Sequence, residues 1–173
     1  MARMDPHSYF DPDQPLTKEL RPHWDVDFAA RRIAGRAHLL FGRAVEGPLD
    51  LDSKGLTIRS AATREGKPVA WTAAEEDPIL GTRLRFDLPA GTTELVVGYE
   101  TSPSATALQW LSPAQTAGRV HPYLFSQCQS IHARTIAPLQ DSPRVRTPYR
   151  AEVTVPEGLT AVMSAGPAGS RPG

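Results

Sequence analysis

Seventeen prolines and thirteen glycines are spread through the 173 residues. Proline removes a backbone donor and clashes with the preceding helical turn, and glycine is costly inside a helix. Their even spread argues against long helices and for many short elements joined by turns. The intervening residues alternate as strands do. Trp24, Val26 and Phe28 alternate with Asp25 and Asp27, an exposed acidic strand face. Ile33 to Phe41 reads as a second strand, with Gly35 as a bulge or a point of close approach. Leu49 and Leu51 alternate with Asp50 and Asp52 before a Ser53-Lys54-Gly55 turn, and Leu56 and Ile58 follow. Arg64 to Lys67 reads as a hairpin turn before Pro68 to Trp71. Leu84, Phe86 and Leu88 form a strand that a Pro89-Ala90-Gly91 turn separates from Leu95, Val97 and Tyr99. Tyr149 to Val155 and Leu159 to Met163 complete about eight or nine strands, with turn residues between them. The expectation is an all-β, antiparallel sandwich of short strands with one short helical turn, Ser130 to Ile136, closed before Pro138.

The length suits one domain with a real core. Residues 1–20, polar and proline-rich, read as an extended or mobile lead-in, and residues 164–173 as a linker or cut end. Nineteen Lys and Arg balance nineteen Asp and Glu without a basic run, so no nucleic-acid partner is expected. No apolar run approaches the roughly 20 residues that span a bilayer, so no membrane partner is expected. The start has no apolar signal core, and the single cysteine excludes an internal disulfide framework. Both fit a cytoplasmic location.

Leu108 to Asp141 concentrates the unusual chemistry: Trp110, the single cysteine Cys128, His121, His132 and several glutamines, with one carboxylate, Asp141. The stretch reads as a loop-rich surface that meets a ligand through amides and rings. His121, Cys128 and His132 do not match a usual zinc spacing and have no evident fourth ligand. Cys128 and His132 are spaced as a helical nucleophile–base pair would be, but a small buried apolar cysteine is the simpler reading. Gln127 and Gln129, in an extended strand, would share one face and offer uncharged donors and acceptors to a peptide amine or carbonyl. The same two amides could instead satisfy backbone groups of a turn. Tyr123, Phe125 and Trp110 add aromatic surface, with core burial favoured for Phe125. The sequence lacks H-E-x-x-H, C-x-x-C, G-x-S-x-G and phosphate- or dinucleotide-binding glycine motifs.

Several blocks together resemble the N-terminal domain of the gluzincin zinc aminopeptidases of the leukotriene A(4) hydrolase and aminopeptidase B type. They are HWDVDF (His23 to Phe28), IAGRAHL (Ile33 to Leu39), LDLDSKGLTI (Leu49 to Ile58), the run from Tyr99 to Pro143, and YRAEVTVPEGLTAVMSA (Tyr149 to Ala165). The resemblance runs in order from about residue 21 to the end. It departs at Ser130, where relatives often carry Ala, and at Leu139 of Pro138-Leu139-Gln140-Asp141, where they commonly carry Cys.

The resemblance implies a saddle-like β domain over residues 21–173 that leans on a thermolysin-like catalytic domain of its own chain. It implies that Ser126 to Gln129 lines the rim of the cleft. Gln127, Cys128 and Gln129 would then be substrate-binding, with Gln129 near the free α-amino group of a peptide. In such enzymes the G-x-M-E-N loop, the H-E-x-x-H zinc motif and the transition-state tyrosine come later in the chain. Zinc is therefore expected in the full-length parent, with no cofactor or catalytic residue in this stretch and no hydrolysis by it alone. The competing expectation is a stand-alone, non-catalytic β module that binds a peptide or a protein partner. An apolar patch is expected beside Leu108 to Gln129.

Overall fold

Alternation drives the architecture of the computed structural model, which describes residues 5–169. The expectations for residues 1–4 and 170–173 lie outside the described residues. The described part is nearly all β. Strands β1 (Glu19–Asp27), β2 (Arg32–Ser53), β3 (Thr57–Thr63), β4 (Ala70–Ala73), β5 (Thr82–Glu100) and β8 (Glu152–Thr154) form one sheet in the order β3-β5-β2-β1-β8, with β4 also on β5. Strands β6 (Leu108–Leu111) and β7 (Tyr123–Ser126) form a separate hairpin. The only helical pieces among the described residues are 3-10 turns at Pro113–Gln115 and Ala133–Thr135.

Two expectations about strand length fail together. The segments 33–41 and 49–52 are one strand of 22 residues. The segments on either side of Pro89-Ala90-Gly91 are likewise one strand, of 19 residues. These two strands pair along their length, with register shifts between Leu40 and Val45 and between Val45 and Gly47. Buried positions on β5 change parity there, from Leu84, Phe86 and Leu88 to Leu95, Val97 and Tyr99. An extra residue in a ladder has that effect: it flips the inward set without ending the strand. Gly91 takes a φ of +86° inside this irregularity, and the Thr92 hydroxyl closes it by donating to the Pro89 carbonyl at 2.6 Å. Proline and glycine here mark a bulge instead of a turn.

The other differences are local. β8 joins β1 in parallel, so the sheet is mixed. The segment 159–163 is not a strand, and only Glu152–Thr154 of 149–155 pairs as one, with a single bridge from Tyr149 to Leu20. The helical turn expected over 130–136 is a 3-10 turn confined to Ala133–Thr135.

One apolar cluster joins both halves of the long ladder: Ala37, Leu39 and Phe41 with Leu49 and Leu51, and Leu84, Phe86 and Leu88 with Leu95, Val97 and Tyr99. A second, smaller cluster of Ile33, Ala105, Ala107, Leu108 and Ile136 lies under the hairpin, with Trp24, Trp110, Leu124 and Cys128 at its margin. Gly35 is a point of close approach, as its place in the sequence suggested. A Cβ there would stand 2.5 Å from the Tyr99 ring. That ring's hydroxyl accepts the Trp24 indole N–H at 2.8 Å.

The lead-in is folded onto the sheet. Asp5, Ser8 and Thr17 are buried. Gln14 exchanges two hydrogen bonds with Asp50, and Gln140 receives the Thr17 N–H and donates to the Pro15 carbonyl. Asp50 and Asp52, which alternation places outward, are 4% and 0% exposed, because residues 5–17 and 134–142 cover that face.

Candidate functional site: the strip from Gln127 to Asp141

The β6–β7 hairpin sets the upper edge of the site. Leu108 and Leu124 turn inward, and Trp110, opposite Leu124, meets the edge of Phe28 at 5.4 Å between ring centroids. Alternation sends the other row outward: Gln109 faces Phe125, and Leu111 faces Tyr123. Phe125 is 44% exposed and Tyr123 56%, their rings 6.2 Å apart. Core burial of Phe125 is therefore incorrect; its strand parity puts it on the solvent side. Val120, in the loop before β7, is exposed as well, so large apolar side chains do face solvent in this segment.

β7 ends at Ser126, so Gln127 and Gln129 do not share the face of a strand. The Gln127 N–H still extends the hairpin's bonding by donating to the Ala107 carbonyl at 2.9 Å. The chain then turns, with a cis peptide between Gln129 and Ser130. The Gln127 side-chain oxygen accepts the Gln129 N–H at 2.9 Å, and its NH2 group remains a donor on offer. Both glutamines are exposed. Gln127 thus satisfies a backbone group of the turn, as one reading of the pair had it, and the turn leaves both side chains exposed to solvent.

Cys128 is half-buried at the margin of the second cluster. Burial, with the Asp141 carboxylate adding to it, pushes its thiol pKa above the ordinary value, so it is protonated at neutral pH and a poor nucleophile. It lies outside any helix. Its carbonyl accepts the His132 N–H at 2.9 Å, while the His132 ring pairs through Nδ1 with the Thr106 hydroxyl at 2.9 Å. His121 lies beside Gly158. Among the described residues, no group of three or more His, Cys, Asp or Glu is placed to hold a metal ion.

Sequence reasoning missed the residue that anchors the strip. Arg134 is fully buried. Its guanidinium donates to the Asp141 carboxylate at 3.0 Å, and to the carbonyls of Leu80 at 2.7 Å, His7 at 2.7 Å and Asp141 at 3.1 Å. It also stands 3.5 Å from the Asp52 carboxylate. Asp52 in turn accepts from the Ser8 hydroxyl at 2.6 Å, the Tyr9 N–H at 2.8 Å and the Asp141 N–H at 2.9 Å. Burial raises the Asp52 pKa above the usual carboxylate value despite these donors and Arg134. The signal was faint: a lone arginine between His132 and a short apolar run, with no charge partner at helical or strand spacing.

Comparison with known proteins gives this β domain a family. The chain matches the Peptidase M1 N-terminal domain over residues 22–171, and it belongs to that family. It is 41% identical over 169 residues to leukotriene A-4 hydrolase of Xenopus laevis, covering 93% of this chain and 27% of that one. It is 34% identical to leucine aminopeptidase 2 of Aspergillus fumigatus, covering 88% of this chain and 26% of the relative. Its fold superposes on native leukotriene A4 hydrolase of Saccharomyces cerevisiae with a TM-score of 0.77 at 26% identity, over 86% of this chain and 24% of that structure. The chain thus spans about a quarter of the length of these relatives.

Proposed function

We propose that this chain is the part of a zinc metallo-aminopeptidase that walls the active-site cleft and contacts the N-terminus of a peptide substrate. The observation that carries the reading is the family match from residue 22 to 171, within which the exposed amides of Gln127 and Gln129 stand on an anchored strip. Uncharged amides suit a peptide's end, because they can accept from its ammonium group and donate to its first carbonyl without a desolvated counter-charge. Cys128 fills the wall between them. The catalytic domain of the same chain, with zinc and a general base, would supply the hydrolysis. The face of Val120, Tyr123 and Phe125 suits the docking of that domain. The reading places the enzyme in the cytoplasm.

The test compares the isolated chain with its encoded full-length form on a peptide amide substrate. The full-length form cleaves it and the isolated chain does not. Gln129→Ala in the full-length form raises KM about tenfold or more with a smaller change in kcat, the loss of one or two hydrogen bonds to a charged group. Unchanged KM and kcat would remove the strip from substrate binding. A full-length form without peptidase activity would favour a non-catalytic peptide-binding module.

A further inference from the structure

The strip carrying Gln127 and Gln129 is tied to the first residues of the described chain through a continuous set of hydrogen bonds. On one side, Gln127 donates to the Ala107 carbonyl, and the Ala107 N–H donates to the Thr135 hydroxyl at 3.3 Å. That hydroxyl donates onward to the His132 carbonyl at 2.8 Å, and the His132 N–H returns to Cys128. Thr135 and its neighbour Arg134 share one 3-10 turn, so the turn faces the strip through one side chain and the buried ionic group through the other. On the far side, Arg134 is gripped by the His7 carbonyl and by Asp52, which Ser8 and Tyr9 hold. Ser142 donates to Asp5 at 2.5 Å, and the Tyr9 hydroxyl donates to the Gly81 carbonyl at 3.1 Å.

We infer that residues 5–9 form a strap that sets the position of the Gln127–Gln129 strip, with Arg134 as the positioning residue through which it acts. The inference rests on the reading of that strip as substrate-binding. Burial makes the coupling strong. Arg134 and Asp52 are both fully enclosed while the strap is in place, so its loss takes hydrogen-bond partners from two buried charges at once. The turn at Ala133–Thr135 must then shift to rehydrate the guanidinium, and Thr135 carries Ala107 and Gln127 with it. The β2–β5 ladder depends on its own apolar cluster and does not need the strap.

Backbone amide exchange on this chain, intact and lacking residues 1–9, reads the coupling directly. Exchange at Ala107, Gln127, Gln129 and His132 is expected to rise about tenfold or more, while amides of the β2–β5 ladder stay within about twofold. Unchanged strip amides would overturn the strap. So would strip and ladder rising by one common factor, which is global loss of stability and nothing more. Should the shortened chain fail to fold, Ser8→Ala in the intact chain gives the same two readouts, with a rise of about threefold expected at the strip alone. The same Ser8→Ala change in the full-length enzyme separates this inference from the reading beneath it. A rise in strip exchange with peptide KM unchanged keeps the strap and removes the strip from substrate binding. Unchanged strip exchange removes the strap whatever KM does.

Discussion

Arg134 is the residue on which the most buried polar chemistry converges, and its loss should be felt accordingly. Arg134→Met fills much of the volume but leaves Asp52 and Asp141 without their cation in a dry site. The expected cost is about 3–5 kcal/mol, read as a lowered urea midpoint. A cost below about 1 kcal/mol would mean that water enters the site freely. Asp50 offers a pH counterpart. Burial pushes its pKa up, but the bidentate contact with Arg85 at 2.7 Å and the Gln14 amide outweigh this and hold it below the ordinary 3.8. A carboxylate whose folded pKa is depressed contributes stability above its unfolded pKa and loses it as pH falls through the folded value. Stability should therefore fall on acidification below about pH 4, and Arg85→Ala should flatten that part of the curve. An unchanged acid limb in that variant would show that other carboxylates set it. These two aspartates also mark where sequence reading stops. Leu49-Asp50-Leu51-Asp52 is a regular alternation, and its polar side faces outward from the apolar core as expected. What covers it comes from residues 5–17 and 134–142, and strand periodicity carries no information about distant segments that lie over a sheet.

The elements show the same boundary between local and distant causes. Gly35→Ala should destabilise the β1–β2–β5 region by about 1–3 kcal/mol, since its Cβ would drive the Tyr99 ring off the Trp24 indole. A thermal shift of less than about 1 °C would mean the ring moves at little cost. That Gly35 marks a close approach was legible, because a glycine inside a strand pattern has few other uses. Strand identity was legible too: every strand of the large sheet lies on or next to an alternating segment. Strand continuity was not. Pro89-Ala90-Gly91 carries the residues of a turn, and only the partner strand, 22 residues long and irregular at the same level, shows that the ladder passes through it. The β6–β7 hairpin was hidden because its two four-residue strands are separated by a loop longer than they are.

At the scale of the whole molecule, the exposed rings of Tyr123 and Phe125 leave apolar surface in water. The isolated chain should self-associate weakly through it, and Phe125→Ser together with Tyr123→Ser should return it to a monomer in sedimentation experiments. Self-association that survives both changes would place the contact elsewhere, the exposed strand β4 being the next place to look. The composition and block order of the chain were enough to anticipate the family. The placement of the strip was not, since it depends on a buried arginine whose partners include the His7 carbonyl 127 residues away.

That separation bears on how the chain is made. Asp52 leaves the ribosome 89 residues ahead of Asp141, and Asp5 leaves 137 ahead of Ser142. At about 5–20 residues per second, Asp52 waits on the order of ten seconds for Arg134 and the Asp141 N–H. The β2–β5 ladder is complete well before then, once Glu100 has emerged. A nascent sheet thus passes through a stage with its apolar side closed and the Asp52 carboxylate still hydrated on the other. Water serves as the temporary cover, and residues 134–142 must displace it before residues 5–9 can settle around Arg134.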